Sequence, residues 1–264
     1  MNNTISKKIN NLYTSLEPLC KPSKFDCFIY LLIPLYLILF LFKKLPPFIP
    51  HIDMLYVKFL IALFGVTYAY KNLSPYIRNI TNFKTTVTVS AKLFVVTSIC
   101  TYLALLVVGR DPQNIGNLSL TNTQYYLLLL DLPFTAIGEE VFKVLMLLAF
   151  LRLFAPLKNN KFIVYLLLSS FIFGLLHINY NYASPLKIIF AIGVTAIPSF
   201  LFFLYYKSIY PSIIVHFFLD FMAFSNVSTN YSFIVLFFQL ALCTAISLLL
   251  LRQFFNLAFN KNKS

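Results

Sequence analysis

The stretch IIFAIGVTAIPSFLFFLYY, from Ile188 to Tyr206, runs nineteen residues without a charge. A bilayer core about 30 Å thick is crossed by about 20 predominantly apolar helical residues, so this run has the length of a membrane span. Reading outward from it, similar runs lie near 27–42, 54–70, 93–109, 125–151, 162–178, 208–224 and 233–251, which makes eight candidate spans. The rest of the composition agrees. Of 264 residues, 59% are hydrophobic and 11% charged, with mean hydropathy +0.80, against about 25% charged in a soluble domain. A soluble fold of this size has too little interior to hide 30 phenylalanines. The runs lack the ten-residue alternation of barrel strands, and helices satisfy their backbone groups within lipid. The expected fold is therefore all-α, a polytopic membrane helical bundle of about eight transmembrane helices. No repeat or linker divides the chain, so residues 1–264 read as a single integral membrane domain.

The net charge of +13 would suggest nucleic acid in a soluble chain, but here the placement of the charge argues otherwise. With both termini inside, the inner segments hold fifteen Lys or Arg and the outer loops five, with Lys58 of the 54–70 run counted at the outer interface, and Lys143 lies within a span. This asymmetry predicts an N-in, C-in topology with an even number of helices. Residues 1–26 are polar and carry Lys7, Lys8, Lys21 and Lys24, which makes them a cytoplasmic N-terminal segment. The first apolar run ends at Lys43 and Lys44 without a small-residue cleavage pattern, so no cleavable signal is expected. Cys20, Cys27, Cys100 and Cys243 form no CxxC pair and suggest neither a disulfide framework nor a thiolate metal site.

Ionisable groups near a bilayer centre cost about 2.5–3.5 kcal/mol each on insertion scales, so the few present are functional candidates. They cluster here. Glu139, Glu140 and Lys143 lie in the fourth segment, His177 ends the fifth, and His216 and Asp220 lie in the seventh. Three pairs at i,i+4, Glu139/Lys143, Phe173/His177 and His216/Asp220, each share a helix face. If the three faces meet in one cleft, carboxylates and imidazoles converge in a water-poor site suited to activating a water molecule. Lys143 is also i+3 from Glu140, so pairing with either glutamate is open. Asp131 precedes Pro133 and Gly138, which are expected to break the 125–151 segment into a short entry helix and a main helix.

The motifs Gly138-Glu139-Glu140-Val141-Phe142-Lys143, Phe173-Gly174-Leu175-Leu176-His177 and His216-Phe217-Phe218-Leu219-Asp220 resemble the EExxxR, FxxxH and HxxxN/D motifs of the CPBP intramembrane proteases. These are the CAAX prenyl endopeptidases and the bacteriocin-processing or immunity ("Abi") proteins. The motifs span 139–220 in the family's order and spacing. The resemblance implies a motif-bearing catalytic core over 139–220, and an endopeptidase that hydrolyses a membrane-associated peptide or protein with glutamate-activated water. Glu139 would be the general base, and His177 would hold and polarise the water. His216 and Asp220 would face the oxyanion, with Glu140, Lys143 and Phe173 in support. At position 144, where the family has Arg, this chain has Val144. An ionised Asp220 has no proton to donate, so it must be protonated or orient His216 instead.

The resemblance implies no cofactor. Zinc is the alternative, with Glu139, His177, His216 and Asp220 as N/O ligands, but no HExxH pairing is present. Two further functions compete: an inactive relative serving as a membrane scaffold or sensor, and a proton-coupled carrier. The carrier is disfavoured because no paired broken helices indicate a repeat. The expected partners are the lipid bilayer and a peptide substrate, with no nucleic acid. Richness in Lys, Ile, Asn and Phe suggests a bacterial cytoplasmic membrane, and a peptide pheromone or bacteriocin as substrate.

Overall fold

The computed structural model describes residues 22–41, 72–74, 76, 82–109, 122–153, 161–177, 184–225 and 241. These residues are helical with connecting turns, and no strand occurs among them. The principal helices are α1 (Lys24–Leu41), α2 (Phe83–Val108), α3 (Asn122–Leu153), α4 (Lys161–Leu175), α5 (Pro185–Tyr206) and α6 (Tyr210–Ser225). Two of them, α2 and α5, are long and apolar enough to cross a membrane, and α4 and α6 contain shorter apolar helical stretches. The expected span 54–70, the span 233–251 apart from residue 241, and both chain termini lie outside the described residues.

Local sequence sets several helix ends. Ser23 and Asp26 form a reciprocal capping box at the start of α1: the Asp26 N–H donates to Ser23 Oγ, and the Ser23 N–H donates to Asp26 Oδ2, both at 3.0 Å. Asn82 caps α2 by accepting from the Thr85 N–H at 2.8 Å. Gly109 ends α2 at φ +95°, a left-handed conformation that costs glycine little. The helix thus begins ten residues before the apolar run that starts at 93, and its first turns carry exposed Lys84 and Lys92.

The expected break in the fourth segment does not occur. Pro133 lies inside a continuous α3 of 32 residues, and Asp131 is a buried residue within it rather than a junction between two helices. Proline removes one backbone N–H, but helices in apolar surroundings tolerate it because packed neighbours and side chains satisfy what is freed. At the end of α4 the helix stops at Leu175, and His177 lies in the turn that follows.

α3 packs on α1, α4 and α6, while α5 packs on α2, α4 and α6. The apolar core is built from the second half of α3, including Met146, Leu147 and Ala149, against Phe200, Phe203 and Leu204 of α5 and Tyr30 of α1. The Tyr30 hydroxyl is buried and accepts from Asn72 Nδ2 at 2.6 Å. Lys187, near the start of α5, donates to the Val108 carbonyl at the end of α2 at 3.3 Å, so these ends lie together and the two helices run antiparallel.

α4 and α5 form the most extensive helix pair, and two glycines allow their approach. A Cβ built on Gly174 would lie 2.4 Å from the Ile189 carbonyl oxygen and 3.0 Å from the Gly193 nitrogen, and one on Gly193 would lie 3.0 Å from the Phe171 ring. The first of these contacts is with backbone, which cannot rotate away. Because Gly174 lies three residues before His177 and its carbonyl accepts from the His177 N–H at 3.1 Å, the close approach also sets where His177 stands. Gly174→Ala should destabilise the protein by about 1–3 kcal/mol, the usual range for overpacking. A lowered thermal midpoint in detergent checks this, and an unchanged midpoint would show that the helices separate freely.

Candidate active site

Glu139 and Glu140 are neighbours in α3 and so point about 100° apart around the helix. Each meets a different set of partners. Glu140 is almost fully buried, at 2% exposure, and three side chains donate to its carboxylate. Lys143, one turn on, donates to Oε1. His216 Nδ1, from α6, lies 2.8 Å from the same oxygen, and Ser199 Oγ, from α5, donates to Oε2 at 2.7 Å. An ionised carboxylate only accepts, so Nδ1 of His216 must carry a proton. The alternative left open by helix spacing is thereby decided: Lys143 is hydrogen-bonded to Glu140.

Glu139 is more accessible and faces the two imidazoles. Its Oε2 lies 3.4 Å from His177 Nε2 and 3.5 Å from His216 Nε2. Asp220, one turn beyond His216, brings Oδ2 within 3.5 Å of the same His216 Nε2. The ring of His177 is oriented by its other nitrogen, Nδ1, which lies 2.9 Å from the Phe173 carbonyl. A carbonyl has no proton to give, so Nδ1 is the donor, and in the neutral ring Nε2 is an acceptor.

Phe173 is buried and touches two of these groups. Its ring stacks against His177 at 4.6 Å between centroids, tilted by 58°, and the Lys143 ammonium lies 4.5 Å from its centroid. The cation therefore rests on an aromatic face while bonded to a carboxylate, both favourable in a dry site.

These side chains border a cavity of about 400 Å³ that α2 and α5 also line. The structure thus brings together every residue singled out from the sequence: Glu139, Glu140, Lys143, Phe173, His177, His216 and Asp220. Sequence reasoning missed Ser199, whose signal was a hydroxyl immediately after Pro198 in an uncharged run. Asp131 also lines the cavity, two turns before Glu139, and accepts from Thr135 Oγ1 at 2.9 Å. Val144, at the family's Arg position, is buried within the apolar core. Among the described residues, no group of three or more His, Cys, Asp or Glu is arranged to hold a metal ion.

A family model described as Type II CAAX prenyl endopeptidase Rce1-like matches residues 121–222. Over that stretch the chain is similar to the CPBP family. The matched residues reach from the start of α3 into the last turn of α6 and include all three motifs. Neither curated proteins nor solved structures yielded a match to the chain. Compared with the EExxxR pattern, the cation stands at Lys143 rather than at position 144, and it bonds the second glutamate, Glu140.

Lys143→Met would leave Glu140 charged and buried with one donor fewer. Removing one partner of a buried ion pair costs about 3–5 kcal/mol, so the single variant should accumulate poorly or melt early. The double variant Glu140→Gln with Lys143→Met removes both charges and should recover most of that loss. Thermal melts of the purified parent, single and double variants check this, and equal stability of all three would show that the pair contributes nothing.

Proposed function

We propose that this protein is an intramembrane endopeptidase that hydrolyses a peptide bond of a membrane-associated peptide or protein with water activated by Glu139. The observation that supports it is the meeting of Glu139 Oε2 with Nε2 of both His177 and His216, at 3.4 and 3.5 Å, on the wall of a cavity within an apolar helical bundle. A water bound there donates one proton toward Glu139 and the other toward the acceptor nitrogen of His177. Its lone pair is then free to attack the scissile carbonyl. Glu139 takes the proton as the carbon–oxygen bond forms, and returns it to the departing amine nitrogen when the carbon–nitrogen bond breaks.

The oxygen that becomes negative in this step needs a donor. His216 supplies one from Nε2. Since Nδ1–H is given to Glu140, a proton on Nε2 makes the ring an imidazolium, with the carboxylates of Glu140, Glu139 and Asp220 around it. Asp220 then need not donate to the oxyanion; it orients and supports His216. Glu140, Lys143 and Ser199 hold His216 in place, and Phe173 fixes His177. No cofactor enters this chemistry.

The setting we infer is a multi-pass protein of a bacterial cytoplasmic membrane, with the lipid bilayer and a peptide pheromone, bacteriocin or similar anchored peptide as partners. The shift of the motif cation and Val144 at position 144 favour one competing reading, an inactive scaffold built on the same fold.

Glu139→Gln, His177→Ala and His216→Ala should each lower peptide cleavage by about 10²–10⁴-fold, as expected for loss of a positioned acid–base group, while membrane abundance holds. Cleavage should also survive a strong chelator, with no stoichiometric metal in the purified protein; a zinc enzyme would lose activity and regain it on adding metal. Full cleavage by Glu139→Gln would overturn the glutamate mechanism. Undiminished biological function in all three variants would favour the scaffold.

A further inference from the structure

Among the described residues that line the cavity, acidic side chains outnumber the fixed cations. Asp131, Glu139, Glu140 and Asp220 contribute four carboxylates, against one lysine and two imidazoles among the described lining residues. With the four carboxylates ionised, these described groups sum to a net negative charge even when both imidazoles are protonated. The proposed chemistry uses three of the four acids: Glu140 holds Lys143 and His216, Glu139 activates water, and Asp220 supports His216. Asp131 is not used. It is 8% exposed, lies eight residues before Glu139 on the same helix and borders the same cavity, which separates the two along the axis by about 12 Å. Thr135 holds its Oδ2, so one carboxylate rotamer is favoured.

A second feature indicates that the cavity takes a polar guest. The hydroxyls of Thr97 in α2 and Ser212 in α6 are buried and have no hydrogen-bond partner among the described residues, and both residues border the cavity. Buried hydroxyls left without a partner are costly and uncommon. An extended peptide laid in the cavity would bring backbone N–H and C=O groups within the reach of such side chains.

We propose that Asp131 forms a cation-binding subsite of the cavity, which selects substrates bearing a lysine, arginine or free amino group near the scissile bond. This rests on the endopeptidase reading for its biological meaning, but not for its physics. The 12 Å from Glu139 corresponds to about three or four residues of extended chain, and the reach of a lysine side chain shortens that separation along the backbone. The cation therefore sits within about four residues of the bond that is cut. A charge-assisted hydrogen bond in a water-poor cleft is short and strong, because a carboxylate that already accepts from one hydroxyl still has lone pairs for a cation.

Two measurements on the full-length protein in detergent test the subsite. In the first, lipid-anchored fluorogenic peptides identical except for lysine, norleucine or glutamate at each position within four residues of the cleaved bond are compared. The parent should hydrolyse the best lysine peptide with kcat/KM about ten- to hundredfold above its norleucine counterpart, the range for loss of one hydrogen bond to a charged group. Asp131→Asn should remove that preference, bringing lysine and norleucine peptides to similar kcat/KM, and Asp131→Lys should favour glutamate. Equal cleavage of lysine and norleucine peptides by the parent would overturn the subsite. So would an equal loss on both peptides in Asp131→Asn, which would make the residue structural.

In the second, thermal stabilisation by n-octylammonium is compared with that by n-octanol. Stabilisation by the ammonium alone, abolished in Asp131→Asn, supports the subsite; equal stabilisation by both overturns it. This arm needs no cleavage. If no peptide is hydrolysed, the endopeptidase reading fails while the subsite is still decided, and the parent's own discrimination between the two probes serves if Asp131→Asn does not fold.

Discussion

A carboxylate buried in an apolar helical bundle is tolerated only when nearly all of its lone pairs are used, and Glu140 meets that condition by drawing one donor from each of three helices. Lys143 comes from its own helix, Ser199 from α5 and His216 from α6. The cost of leaving any of these unmade is far larger than the cost of adjusting helix packing by a few tenths of an ångström. The carboxylate therefore sets the register of α5 and α6 against α3. The orientation of the His216 ring follows, because a ring tied by Nδ1 to Glu140 must present Nε2 toward Glu139 and Asp220.

The other imidazole is placed by packing rather than charge. Gly174 and Gly193 let α4 and α5 approach until backbone meets backbone, and the turn bearing His177 begins where α4 ends. Phe173 then couples the two halves of the site: its carbonyl orients His177, its ring stacks on that imidazole, and its face carries the Lys143 ammonium. A change at Phe173 would reach both the water-binding nitrogen and the ion pair that holds Glu140, so the two networks are mechanically one.

Polarity is distributed sharply in this bundle. The outer surface of α2 exposes Val95, Ile99, Tyr102, Leu103 and Leu106, as a lipid-facing helix does, while its other side contributes Thr97 and Thr101 to the cavity. A single helix thus faces both solvents. Its hydrophobic residues are spread around its circumference, which is why amphipathic periodicity gives little guidance here and the isolated polar residues carry the information about direction.

The amino-acid sequence by itself pointed to the helical membrane class, from the length of its uncharged runs, and it singled out seven residues that the fold brings to one cavity, because charged groups in such runs are too costly to be scattered without a use. The i,i+4 spacing of His216 and Asp220 and the adjacent glutamates were enough to assign each to a helix face. Only the tertiary structure decided the rest. Lys143 stands at allowed spacing from both glutamates, and the choice of Glu140 depends on donors from α5 and α6 that no local pattern encodes. The continuity of α3 through Pro133 depends on its packed surroundings, since the same residues in water would favour a break. Ser199 acquires its place in the site from Glu140, more than fifty residues away, and contacts at that distance along the chain exist only after the helices have packed.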